Sequence, residues 1–267
     1  MGTNALGAIP ALGSMLNDPN VLLSISASRS LAAMGPEAVA PLTRALDHSD
    51  FNVRGAACDG LANLGASAAP AAPRLARIIA SETGPIVNSA SYALARIGAA
   101  AVPELVPLLR DTNALVRRQI LFTFASMGAN GTQAVPELLP LANDPEPRVR
   151  AAALDALGRI DPVSRKTAAA AGAALDDSSP SVRAAALQLL RYRPRYVREH
   201  PEPIGALLED DSDEVRGYAA LALSSAPDQA EPWLARLAEL ADDTNAVLRA
   251  SANEALRIIE TTRSPQP

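Results

Sequence analysis

The chain has 267 residues and a mass of 27.7 kDa, light for its length because 56 positions are alanine. Eight aromatics, two histidines and one cysteine leave little for sheet packing and nothing for a multi-histidine metal centre, a disulfide, a zinc ribbon or an iron–sulfur cluster. A net charge of −5 and a pI near 5.2 argue against a general nucleic-acid binder, whose surface is normally basic.

Abundant Ala, Leu and Arg predict an all-α protein. The start, Met1-Gly2-Thr3-Asn4, lacks a basic segment leading into an apolar core, and no uninterrupted apolar run reaches the ~18 residues of a membrane span. A cytoplasmic protein with no membrane partner is the expectation.

Along the chain one pattern recurs. The pairs Leu23-Ser24, Val53-Arg54, Ile86-Val87, Val116-Arg117, Val149-Arg150, Val182-Arg183, Val215-Arg216 and Leu248-Arg249 are separated by 30 or 33 residues. Eight positions after each first member stands Leu31, Leu61, Leu94, Phe124, Leu157, Leu190, Leu223 or Leu256. Twelve after it, the first four units carry Gly35, Gly65, Gly98 and Gly128, and five before it six of the eight carry Asp. Fourteen residues upstream lies a second apolar column, Ile9, Val39, Ala72, Val102, Val135, Ala168, Pro201 and Leu234, with apolar residues three and seven positions on. That is one helical face. Proline follows the column residue at Pro10, Pro73, Pro103 and Pro136, as a first helical turn tolerates.

Each unit is therefore predicted to be a helix A, a turn carrying Asp, a helix B, and a turn with Gly at the helix end. The units fall near 3–35, 36–65, 66–98, 99–130, 131–161, 162–194, 195–227 and 228–262, in a single solenoid over 1–262 with a disordered tail at 263–267. A short helical hairpin cannot bury its apolar face alone, but eight stacked hairpins share one continuous core. The expected architecture is a right-handed α-solenoid.

The stretch AVPELLPLANDPEPRVRAAALDALGRI, from Ala134 to Ile160, resembles HEAT repeats, particularly the short bacterial and archaeal kind of phycobilisome-lyase-like proteins. The resemblance extends from residue 5 to about 261. It implies a scaffold, with a bilin-lyase-like subunit acting beside a partner chain, or a segment of a longer solenoid, as alternatives. Helix A of the first unit (Leu6, Ile9, Leu12, Leu16) starts without a polar capping helix, which suits the last of these. A HEAT-repeat hydroxylase would need several His-Glu pairs for di-iron, and the chain has no His-Glu dipeptide.

The most regular polar feature is a ladder: Asp111 and Arg117, Asp144 and Arg150, Asp177 and Arg183, Asp210 and Arg216, Asp243 and Arg249. Each Asp is expected to accept hydrogen bonds at the N-terminus of helix B and to meet an Arg of its own or the next repeat. The ladder breaks at His48 and at Ser81/Val87, so the third unit must be held differently. Capping also explains the carboxylate runs, with adventitious Ca²⁺ at Asp210, Asp211 and Asp213 the alternative; no metal site or cofactor is expected. Cys58, which lacks a spaced partner, reads as a packed thiol; His48 and His200 read as solvated turn residues, and Trp233 as a core residue.

At about 100° per residue, positions 0, +4, +8 and +11 of helix B face the core and +2, +6 and +9 face outward. The +6 column reads Arg29, Asp59, Tyr92, Phe122, Asp155, Gln188, Leu221 and Glu254. Tyr92 and Phe122 fall on successive repeats, with Arg118 beside them. Exposed aromatics among charges make a protein-binding hot spot on the concave face, completed by Asp59, Asp155 and Gln188. The contrary reading tucks both rings between repeats. A second cluster, Arg191, Arg193, Arg195 and Arg198 with Tyr192 and Tyr196, is a candidate anion site, weighed against a solvated linker. The sequence thus predicts a monomeric, non-catalytic scaffold for a protein or peptide.

Overall fold

The computed structural model describes residues 7–263; Leu6 and the tail from 264 lie outside them. Among the described residues there is no strand, and the chain is an all-α solenoid that divides into two units at Glu137–Leu138.

The first unit contains α1 (Ile9–Met15), α2 (Val21–Ala32), α3 (Val39–Ala45), α4 (Phe51–Leu64), α5 (Ala72–Ser81), α6 (Pro85–Ile97), α7 (Val102–Leu105) and α8 (Ala114–Met127). α9 (Val135–Leu138) carries the boundary. The second unit contains α10 (Pro147–Ile160), α11 (Arg165–Ala173), α12 (Pro180–Leu190), α13 (Pro194–Glu199), α14 (Pro201–Ala206), α15 (Asp213–Leu223), α16 (Leu234–Leu240) and α17 (Ala246–Arg263). Within the first unit the long B helices α2, α4, α6 and α8 pack in succession, and α10, α12, α15 and α17 do so within the second.

The A helices are shorter and often broken. After α7 the chain tightens into a 3₁₀ segment at Val106–Arg110, and after α9 into another at Leu139–Asn143. Pro107 and Pro140 lie there; each lacks an N–H and crowds the carbonyl four residues back, so the α ladder cannot continue. α5 and α11, with no proline beyond the first turn, run for 10 and 9 residues. At the far end of the B helices, Gly65, Gly98 and Gly128 adopt φ of 56°, 77° and 54°, a left-handed conformation that side chains with a Cβ resist. Gly98 thereby ends α6 inside Pro85–Arg110, a stretch long and apolar enough by composition to cross a membrane.

The core columns are closed except at the last repeat, where Leu256 is half-buried. In the first unit Leu31, Leu61, Leu94 and Phe124, and in the second Leu157, Leu190 and Leu223, have no solvent exposure. Four positions earlier stand Ala27, Ala57, Ala90 and Ile120, then Ala153, Ala186, Ala219 and Ala252, also buried. Small residues there let neighbouring helices approach closely at crystal-like density. Leu23, predicted to face the core, is 40% exposed, while Ser24 beside it is buried and donates to the carbonyls of Met15 and Asp18. Two glycines in the second unit seat aromatic rings: a methyl group on Gly205 would overlap the Trp233 indole, and one on Gly172 the Tyr196 hydroxyl. Trp233 is half-buried against the core from a 3₁₀ turn at Glu231–Trp233.

Candidate functional site

The Asp column forms turns rather than helix caps. In each case Oδ1 accepts the N–H two residues on: Asp111 from Asn113 at 2.7 Å, Asp144 from Glu146 at 2.9 Å, Asp177 from Ser179 at 2.8 Å, Asp210 from Ser212 at 2.9 Å and Asp243 from Asn245 at 2.7 Å. His48 takes the same place, its Nδ1 accepting the Asp50 N–H at 3.0 Å, so it is engaged rather than merely solvated. The helix N-caps lie two residues further on, at Asn20, Asp50, Asn113 and Asn245, whose side chains accept from the first helical turn. The expected cap was thus displaced by two residues, because the Asp side chain finds its partner within the turn before the helix begins.

The Arg column makes two kinds of bond. Arg54, Arg117, Arg150, Arg183, Arg216 and Arg249 each donate from Nη1 to the backbone carbonyl six residues before, at 2.6–2.9 Å. Arg150 also grips Asp177 of the next repeat through Nε and Nη2, both at 2.7 Å, and Arg183 grips Asp210 the same way at 2.7 and 2.8 Å. The Arg150 hydrogen bond holds Asp177 below the usual carboxylate range against the opposing effect of burial. Burial pushes Asp210 upward, but hydrogen bonds from Arg183 and the Ser212 N–H outweigh it and leave the pKa lowered. Arg216 breaks the pattern: it turns to Asp213, which also accepts from Asn245 Nδ2. In the third unit Glu82, one residue past Ser81, accepts from Arg54 at 3.1 Å. Sequence reasoning passed over Glu82 because it stands one place off the column. With Asp210 and Asp213 committed to cations and amides, their carboxylates do not form an open Ca²⁺ site, and among the described residues no His, Cys, Asp and Glu cluster is arranged for a metal.

The outward +6 column divides between the units. In the first, Asp59 on α4, Tyr92 on α6 and Phe122 on α8 are exposed, the rings to 55% and 43%. α6 and α8 are packed neighbours, tied beside the rings by a 2.8 Å hydrogen bond from Gln119 Nε2 to Ser91 Oγ. Arg118 is half-buried, with its guanidinium 5.7 Å from the Phe122 ring centre, a cation–π distance. Leu115, one helical turn before Arg118 on α8, adds a 60% exposed apolar side chain that the +6 column does not include. In the second unit Gln188 is exposed, but Asp155 is half-buried and paired with Arg159 at 2.8 Å. These two line a cavity of about 480 Å³ between α10 and α12.

The basic cluster is a folded segment, not a solvated linker. Residues 194–199 form α13, Val197 is buried and Tyr196 half-buried. Arg191 lies 4.9 Å from the Tyr192 ring centre, Arg195 pairs with Glu199 at 2.9 Å and Arg198 with Asp228 at 3.0 Å. Arg193 is 9% exposed and makes no salt bridge among the described residues. Cys58 is fully buried, and burial, with the Asp59 charge beside it, pushes the thiol pKa up to about 12, far from a nucleophilic thiolate. His200 is exposed, its ring 4.6 Å from that of Tyr196.

The protein YibA and the karyopherin Kap121p share the architecture. The Escherichia coli protein YibA is 19% identical, covering 96% of this chain and 98% of its own, with a TM-score of 0.50. The karyopherin Kap121p, solved bound to the extreme C-terminus of the protein phosphatase Cdc14p, is 16% identical at a TM-score of 0.71; the match covers 94% of this chain but only 33% of Kap121p. Human deoxyhypusine hydroxylase in complex with glycerol is 21% identical over 97% of this chain and 98% of its own, at a TM-score of 0.40. No curated protein matches the chain in sequence at a significant level. The model for HEAT repeats matches residues 9–96, 102–191 and 168–257. With the match running through both units, the chain belongs to the HEAT-repeat family.

Proposed function

We propose that this protein is a non-catalytic scaffold that holds a protein or peptide on the exposed face of its B helices, anchored on Tyr92 and Phe122. The observation that carries the reading is the exposure of both rings, at equivalent positions of two packed helices, in a chain with only eight aromatics. Apolar side chains exposed together on packed helices, rather than scattered singly, are what marks an interaction surface. Aromatic anchors bordered by charge are the common composition of a binding centre, and Asp59 and Arg118 supply that border here. Kap121p, which shares the fold, is solved bound to the extreme C-terminus of Cdc14p, to Ste12p and to Nup53p, so this architecture accommodates protein partners.

The test is a double variant, Tyr92→Ala with Phe122→Ala, compared with the parent in melting and in affinity capture. Exposed rings leave no cavity, so the melt should stay within about 1 kcal/mol of the parent, whereas buried rings would cost roughly 3–5 kcal/mol each. Partners held by the parent should be released, since such anchors carry ~2 kcal/mol or more apiece. A stable variant that keeps every partner of the parent removes the site from this face.

A further inference from the structure

Arg193 stands in an apolar column. The equivalent +11 position is Met34, Leu64, Ile97 and Met127 in the first unit, and Ile160, Ala226 and Ile259 elsewhere in the second. The guanidinium has five N–H donors. Its bonds are long ones to backbone carbonyls, from Nη1 to Tyr192 at 3.2 Å and from Nη2 to Asp161 at 3.4 Å, while Nε has no partner. Every other arginine of the cluster is answered by a carboxylate or stacked on a ring, and Arg193 alone is buried with no carboxylate bonded to it. Burial lowers its pKa, with the nearby Asp161 charge opposing the shift. A hydrophobic residue would pack there at no such cost, so the charge weakens the fold where it sits.

Arg193 lines an open cleft of about 390 Å³ between the start of α11 and α13, with Val163 on its rim 87% exposed, and it also borders the 480 Å³ cavity beside Asp155. Pro162, Val163, Ala168, Ala169 and Pro194 give the cleft apolar walls, and Tyr196 an aromatic one. Three arginines, Arg165, Arg193 and Arg195, face one carboxylate, Glu199, which is already bonded to Arg195. The pocket is thus cationic within an acidic protein. We propose that the cleft at Arg193 binds a small organic carboxylate with an apolar, ring-sized body. The guanidinium fork matches a carboxylate, and the apolar and aromatic lining suits a ring-bearing carboxylate better than a strongly hydrated phosphate.

The probe is 2-naphthoate, titrated calorimetrically into the full chain beside inorganic phosphate. Saturable one-to-one binding of naphthoate is expected, with phosphate weaker by about tenfold or more. Arg193→Met, which restores the residue type of the first and fourth repeats, should weaken naphthoate about tenfold or more while the melting temperature holds or rises. Ala169→Trp, on an exposed position of α11, should fill the cleft and abolish binding with Arg193 intact. No saturable binding up to about 10 mM, phosphate bound as tightly as naphthoate, or Arg193→Met binding as well as the parent would each overturn the proposal. So would a lowered melting temperature in Arg193→Met, since the guanidinium would then be a structural residue. None of these results bears on Tyr92 and Phe122.

Discussion

Removing Asp177 should cut a bond between repeats and a bond within one. Its Oδ1 accepts from Arg150 Nη2 at 2.7 Å and from the Ser179 N–H at 2.8 Å, and its Oδ2 accepts from Arg150 Nε at 2.7 Å. Both side chains are 13% exposed, so water replaces these bonds only in part. Charge-assisted bonds of about 1.5–3 kcal/mol each set an upper range, and a stranded, deeply buried charge costs about 3–5 kcal/mol. Arg150 keeps its Nη1 bonds to the carbonyls of Asp144 and Pro145, at 2.9 and 3.3 Å, which holds the loss toward the lower end. Asp177→Ala should therefore cost about 3 kcal/mol and lower the melting temperature by about 5 °C for a chain of this length. Asp177→Asn keeps an acceptor for Ser179 but not the charge, and should recover only about 1 kcal/mol of that. Because a solenoid is stabilised between nearest neighbours, hydrogen exchange should quicken in α10 and α12 before it does in α17. Acid gives a second readout. The folded Asp177 has a lowered pKa, so the unfolded chain binds more protons as pH falls. The stability contributed by its charge is complete above the unfolded carboxylate pKa of about 4 and is lost as pH falls through the lower folded value. The gap between parent and Asp177→Ala should narrow below about pH 4. A cost under about 0.5 kcal/mol, or a gap unchanged in acid, refutes the ladder as a source of stability.

Gly205→Ala should force the Trp233 indole out of its seat and cost about 1–3 kcal/mol; fluorescence from this single tryptophan should shift to the red, and an unchanged spectrum and melt would contradict the close approach. Cys58, buried and with its pKa raised to about 12, should resist a thiol reagent at mildly alkaline pH in the native protein and react at once when unfolded. Rapid modification of the folded chain would show that the thiol is accessible.

The sequence by itself determined the repeat, its two helices and most of its core. Those are short-range properties: a 3.6-residue period sets which side of a helix is apolar, and Leu61, Leu94 or Leu157 then has only one direction in which to be buried. The exposure of Tyr92 and Phe122 follows from the same phase, two residues before Leu94 and Phe124. Tertiary structure decided what phase cannot see. The Asp column reads as a row of caps until the turn geometry brings Oδ1 to the N–H of the cap residue itself. Arg54 finds Glu82 across 28 residues because stacked hairpins bring that turn beside it, one place off the column. Asp155, on the same helical face as Tyr92, is half-buried with Arg159 beside a cavity, since the local packing of α10 and α12 sets how much of the +6 position is covered. Arg193 shows the difference most sharply. In sequence it belongs to a run of four arginines that looks solvated, yet it stands just past the end of α12, at a position filled by apolar residues in the other repeats, and its side chain is buried. Chain neighbours share composition, but burial depends on direction, and an arginine turned inward is hidden however polar the residues beside it.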